Sequence, residues 1–143
     1  MNHTKPSLLK IGMLCVVCLL GFTARALDGV VVIANEGVSS SSLTAEALKN
    51  IYTGKTKYWE DGQAIIIVVL PDQTDAALEE TCGMDSSSFK TFWQRLAFSG
   101  RGEMPKKAND ASSLVSMVAS TKGAIALAPA NGALGGVKKI NVK

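Results

Sequence analysis

Histidine is nearly missing from this chain of 143 residues, and the single one, His3, stands at its start. Without imidazole elsewhere, Ser-His-Asp and Cys-His catalysis are excluded from the body of the protein, together with nearly every zinc site built on imidazole ligands. Cysteine is scarce too: Cys15 and Cys18 form a C-x-x-C pair inside an apolar run near the start, which leaves Cys82 alone in the remainder. Cys82 therefore has no partner for an intrachain disulfide and is expected to pack beside Leu78 rather than react. An excess of one charge is also lacking. The formal net charge is +3, but Lys5, Lys10 and Arg25 lie in the first 26 positions, where there is no acidic residue, so twelve basic groups face twelve acidic ones beyond them. A neutral domain lacks the concentrated basic face that binding to a phosphate backbone needs, which excludes nucleic acid as a partner. The pairs Lys106-Lys107 and Lys138-Lys139 are short enough to be solvated surface.

Ile11 to Phe22 (IGMLCVVCLLGF) is apolar but short of the roughly 20 residues that span a bilayer. A basic start precedes it, and the small-x-small triplet Ala24-Arg25-Ala26 follows. That order marks residues 1–26 as a cleavable export signal. Leu27 would then begin a periplasmic domain, residues 27–143, with no stable membrane insertion after cleavage. Leu14 and Val17, which precede Cys15 and Cys18, are not the small residues that lipoprotein processing wants. The remaining length suits one domain with a single modest core.

Val30–Ala34 (VVVIA), Ala64–Leu70 (AIIIVVL) and Gly123–Ala128 (GAIALA) are continuous apolar runs, as in strands covered on both faces. Val137–Val142 (VKKINV) alternates and is expected at a sheet edge. Leu48, Ile51 and Tyr52 recur at helical spacing behind Thr44 as N-cap, with Gly54 as the stop. Phe89, Phe92, Trp93 and Leu96 form a second helical stripe, started by Asp85 or Ser86, ended by Gly100, and expected to be core. Asp110 caps a shorter helix containing Leu114, Val115 and Val118. The order strand, helix, strand, two helices, helix, strand, strand predicts a three-layer α/β/α domain with a mainly parallel sheet.

Pro71–Glu80 (PDQTDAALEE) hands the second strand to a helix with an acidic start. Asp72, Asp75, Glu79 and Glu80 could pair as acid and base or hold a hard cation, but acidic residues there commonly complement the helix dipole. No metal site and no cofactor is expected. Two other stretches could meet an anion with backbone amides. Val38–Thr44 brings Ser40 and Ser41 to a helix start, although a capped connector has the same composition. Phe98–Pro105 (FSGRGEMP) sets Arg101 between glycines, a pattern shared with a helix-end turn carrying a solvated arginine.

Leu43–Trp59 (LTAEALKNIYTGKTKYW) resembles the stretch "LT…L…IYLGKI..W" of the substrate-binding proteins of phosphate-specific ABC transporters, which are type 2 periplasmic binding proteins. Phe89–Trp93 (FKTFW), Phe98–Gly102 (FSGRG) and Thr121–Leu127 (TKGAIAL) are similar to the "F..FW", "FTGKG" and "TPGAIGYV" segments of short relatives of that family. The resemblance covers about Val30 to Leu127 and implies one lobe of a fold whose full-length members close two lobes on the anion. A homodimer, a membrane transporter or a sensor partner would supply the second wall.

In phosphate-binding members the strand after the "W" leads into "R-A-D-G-S-G-T", whose arginine, hydroxyls and glycine amides contact the anion. Against that pattern Asp72 matches the aspartate and Thr74 keeps a hydroxyl. Leu70 replaces the arginine, Gln73 and Asp75 replace glycines, and Ala76 replaces the threonine. A carboxylate has also been gained. Two like charges about 4 Å apart repel by on the order of 4 kcal/mol at an effective dielectric of 20, enough to cancel several neutral hydrogen bonds of about 1 kcal/mol each. The expectation is a helix start capped by its own Asp75, with weak or no phosphate binding of the family's kind.

If a small oxyanion such as phosphate binds, Asp72 and Thr74 are the candidates inside the matched pattern, and Ser40, Ser41 and Arg101 lie outside it. The resemblance thus implies an exported, non-enzymatic, phosphate ABC transporter substrate-binding-protein-like domain with a degenerate oxyanion site. The alternative is a periplasmic sensory or protein-interaction module that reuses the lobe without a small ligand.

Overall fold

The apolar runs form the middle of one sheet. The computed structural model describes residues 29–71 and 74–143. The expected export signal, with Cys15 and Cys18, lies outside the described residues, as do Asp72 and Gln73. In chain order the elements are β1 (Val30–Asn35), β2 (Ser42–Leu43), α1 (Ala45–Tyr52), β3 (Ile66–Val69), α2 (Asp75–Cys82), α3 (Ser86–Phe98), β4 (Lys106–Lys107), α4 (Ala111–Ser120), β5 (Ala124–Pro129) and β6 (Val137–Val142). This is the expected alternation with two short strands added.

The six strands lie in the order β2-β6-β1-β5-β3-β4. β1 is antiparallel to both of its neighbours, β5 and β6. The β2-β6, β3-β4 and β3-β5 ladders are parallel, so five strands run one way and β1 alone runs against them. β5 and β6 flank β1 and share a direction, so residues 130–136 must carry the chain back along the length of β1. Extended chain at roughly 3.3–3.6 Å per residue just makes that span, and Leu134 packs against the core on the way. The alternation of β6 predicts an edge, but the strand is second from the edge. Ser42 and Leu43, too few to show a pattern, add to its outer side at Asn141 and Val142.

Both faces of the sheet are covered, which explains the unbroken apolar runs. Val32 and Ala34 of β1, Ile67 of β3 and Ile125 and Leu127 of β5 face one core with Leu48, Tyr52, Leu78, Phe89 and Trp93 from α1, α2 and α3. Ile33, Val68, Ala124, Ala126 and Ala128 face the other core with Leu114 and Val118 of α4. In β5 the large residues point to the three-helix side and the alanines to α4, so that helix can approach closely. Thr44, Asp85 and Asp110 cap α1, α3 and α4 as expected, accepting from Ala47 N at 3.0 Å, Ser88 N at 2.8 Å and Ser113 N at 2.7 Å. Cys82 is buried, with its thiol directed to the Leu78 carbonyl. Among the described residues no helix is long and apolar enough to cross a membrane.

Candidate functional site

Pairing between β3 and β5 stops at Val68↔Ala126, while β5 runs on to Pro129 and the chain after β3 turns away towards α2. The space left at these strand ends is a cleft of about 430 Å³. It lies at the carboxyl ends of parallel strands, where open α/β sheets place ligands, and beside the starts of α2 and α3. Val69, Leu70, Leu78, Phe89, Met104 and Leu127 supply apolar wall; Thr74, Ser86, Ser87, Lys90 and Lys107 supply the polar groups, and Tyr52 also lines the space. Among the described lining residues there are two cations and no carboxylate.

Most hydroxyls here are already engaged. Thr74 is buried and its Oγ1 donates to the Leu70 carbonyl at 2.9 Å, so its proton holds the turn. Ser86 Oγ donates to Asp75 Oδ1. Lys90, Lys107 and Ser87 are exposed. Tyr52 differs from all of these. It is 1% exposed, its ring lies 6.0 Å from that of Phe89, and its hydroxyl has no hydrogen-bond partner. Burial pushes its pKa well above the usual tyrosine range, with Cys82 adding to the rise and the Leu127 backbone opposing it. The Leu127 backbone is thus a polar neighbour, but no pair meets hydrogen-bond geometry. The hydroxyl stays a proton donor.

The expectation that Asp75 caps its own helix is corrected. α2 starts at Asp75 with Thr74 as N-cap, and Thr74 makes no side-chain cap bond. A side chain caps from the residue before the first helical one; Asp75 stands one position too late and turns across to Ser86 of α3 instead. Gly83, in left-handed conformation at φ 74°, closes the other end of α2.

The candidate residues are not gathered in one place. Thr74 lines the cleft at the strand ends. Arg101 is exposed and lines a neighbouring cleft of about 340 Å³ with Lys57, Tyr58 and Trp93, on the amino-terminal side of β3. Ser40 and Ser41 precede β2, across the sheet from both clefts. Asp72 lies outside the described residues. The glycines around Arg101 have structural causes: Gly100 adopts φ 71° after α3, and a Cβ on Gly102 would meet Trp93 at 3.1 Å. Sequence reasoning did not single out Tyr52, Lys90 or Lys107 as site residues. Tyr52 was legible only as helix core, and Lys107 only as solvated surface. No group of three or more His, Cys, Asp or Glu among the described residues is placed to hold a metal ion.

No protein-family model matches the chain, and no curated protein matches it. Solved structures do. A protein from Clostridium perfringens, assigned as a phosphate ABC transporter substrate-binding protein and crystallised with bound phosphate, superposes with a TM-score of 0.62 at 20% identity, over 80% of this chain and 44% of that one. An ABC-type phosphate transport receptor from Vibrio cholerae gives 0.54 at 20% identity, over 80% and 46%. PstS from Borrelia burgdorferi gives 0.53 at 11% identity, over 80% and 47%. The chain spans less than half the length of each of these structures. It therefore has the α/β fold of one lobe of a phosphate-binding protein of the ABC-transporter type.

Proposed function

We propose that this protein is an exported, non-enzymatic solute-capturing lobe in which the phosphate grip suggested by the resemblance is degenerate. The observation that carries the reading is Leu70. At the position where the resemblance puts the anion-binding arginine, this side chain is 1% exposed and packed into the α4-side core. The hydroxyl proton of Thr74 is committed to the same turn, which leaves little there to hold a tetrahedral anion. Capture would be completed by a second wall from another copy, another protein or a further lobe.

Thermal unfolding in increasing phosphate, sulfate and molybdate tests the degenerate grip. A ligand that binds only the native state raises stability with the logarithm of its concentration over Kd; the expected result is no rise at micromolar concentrations of any of the three. A second reading, a protein-interaction module, is favoured by Phe98, which is 93% exposed at the end of α3. It predicts a concentration-dependent sedimentation coefficient that Phe98→Ser abolishes.

A further inference from the structure

We infer that the cleft at the ends of β3 and β5 takes a small organic anion with an apolar body, a short-chain monocarboxylate being the simplest case, rather than inorganic phosphate. The inference rests on reading the chain as a solute-capturing lobe and deepens it. Phosphate is polar on every side and gains nothing from the apolar wall, whose accessible part is Val69, Pro71, Met104 and Pro105. A hydrocarbon body gains there with each methylene it buries. The anionic head has a place at the rim, where Lys90 and Lys107 are exposed.

Tyr52 supplies the independent sign of a ligand. Buried hydroxyls without a partner are rare in native proteins and costly. This one belongs to a residue lining the cleft and keeps a proton to donate. An anionic head would be poorly placed against it, because no lysine is buried there to offset desolvation. A neutral oxygen on the ligand body fits. The preferred class is therefore an apolar carboxylate carrying a keto or ether oxygen away from its acid group.

Calorimetric titration of the purified protein with acetate, butyrate, hexanoate, 4- and 5-oxohexanoate, hexanol and inorganic phosphate reads this directly. Affinity is expected to rise by up to about fourfold per methylene from acetate to hexanoate, with hexanol at least about tenfold weaker than hexanoate. One of the oxohexanoates should exceed hexanoate in the wild type and lose that advantage in Tyr52→Phe. Lys90→Gln with Lys107→Gln should erase the difference between hexanoate and hexanol. Ser87→Trp, a change at an exposed lining residue, should block the whole series while leaving the melting temperature in place. A flat chain-length series, or hexanoate binding that survives Ser87→Trp, overturns the organic-anion assignment and leaves the degenerate phosphate grip standing. Micromolar binding of phosphate overturns both.

Discussion

Around Trp59 and Trp93, the stretches that resemble phosphate-binding proteins meet one another and hold the lobe together; at the turn from β3 into α2 several residues depart from the phosphate-binding pattern. In the first region Trp59 Nε1 donates to the Gly123 carbonyl at 3.0 Å, and Trp93 Nε1 to the Tyr52 carbonyl at 3.1 Å. Added Cβ atoms on Gly54 and Gly102 would both press on Trp93, at 3.3 and 3.1 Å. In the second region Leu70, at the position where the resemblance would put an arginine, is buried, and the first helical residue carries a carboxylate tied to the next helix. The contrast teaches that motif similarity of this kind reports shared packing. It reports a shared ligand only where the ligand-contacting positions themselves agree.

The largest expected effect comes from forcing the second region back towards the family pattern. Leu70→Arg would bury an unpaired guanidinium and should cost about 4 kcal/mol or more in urea unfolding, with no gain in phosphate binding. A stable Leu70→Arg variant that binds phosphate would break the comparison. The first region is next. Gly123 sits at φ 75°, and a Cβ there would lie 2.0 Å from the Ala64 carbonyl oxygen, so Gly123→Ala should cost about 3 kcal/mol by the same measurement. An effect below about 1 kcal/mol would show that this junction relaxes freely.

Tyr52→Phe has the opposite sign. Removing a buried hydroxyl without a partner should raise the stability of the ligand-free protein by about 1 kcal/mol, and a loss of that size would mean that the hydroxyl is satisfied. The smallest effect concerns helix starts common to both sides of the contrast. Hydrogen bonds from the Ser88 and Ser113 backbones hold the carboxyl groups of Asp85 and Asp110 below the usual carboxylate range. A depressed folded-state pKa gives stability that is present above the unfolded value near 4 and lost as pH falls through the folded one. Asparagine caps equally well but does not titrate, so the double change Asp85→Asn and Asp110→Asn should flatten the decline in urea midpoint between about pH 4 and pH 2.

Much of the fold was legible because it rests on short-range chemistry. Continuous apolar runs marked the buried strands, and Thr44, Asp85 and Asp110 marked three of the helix starts. Ser42–Leu43 and Lys106–Lys107 were invisible because two residues have no period; they are strands only through their partners Asn141–Val142 and Val68–Val69. The reversal of β1 depends on long-range pairing with β5 and β6. Asn35 was missed for the same reason: it donates to the Val118 and Ala119 carbonyls and so closes the far end of α4 from β1, more than 80 residues away. The site was less legible than the fold. Thr74 was found because a motif pointed to it, whereas Tyr52, Lys90 and Lys107 converge from α1, α3 and β4. Only the tertiary structure brings those three elements to one cleft.

The central claim is that the lobe keeps the packing of a phosphate-binding protein without its grip on phosphate. Calorimetric titration of the purified protein with inorganic phosphate at neutral pH tests it most directly. The account predicts no saturable heat at micromolar phosphate; a one-site isotherm with micromolar Kd would contradict it.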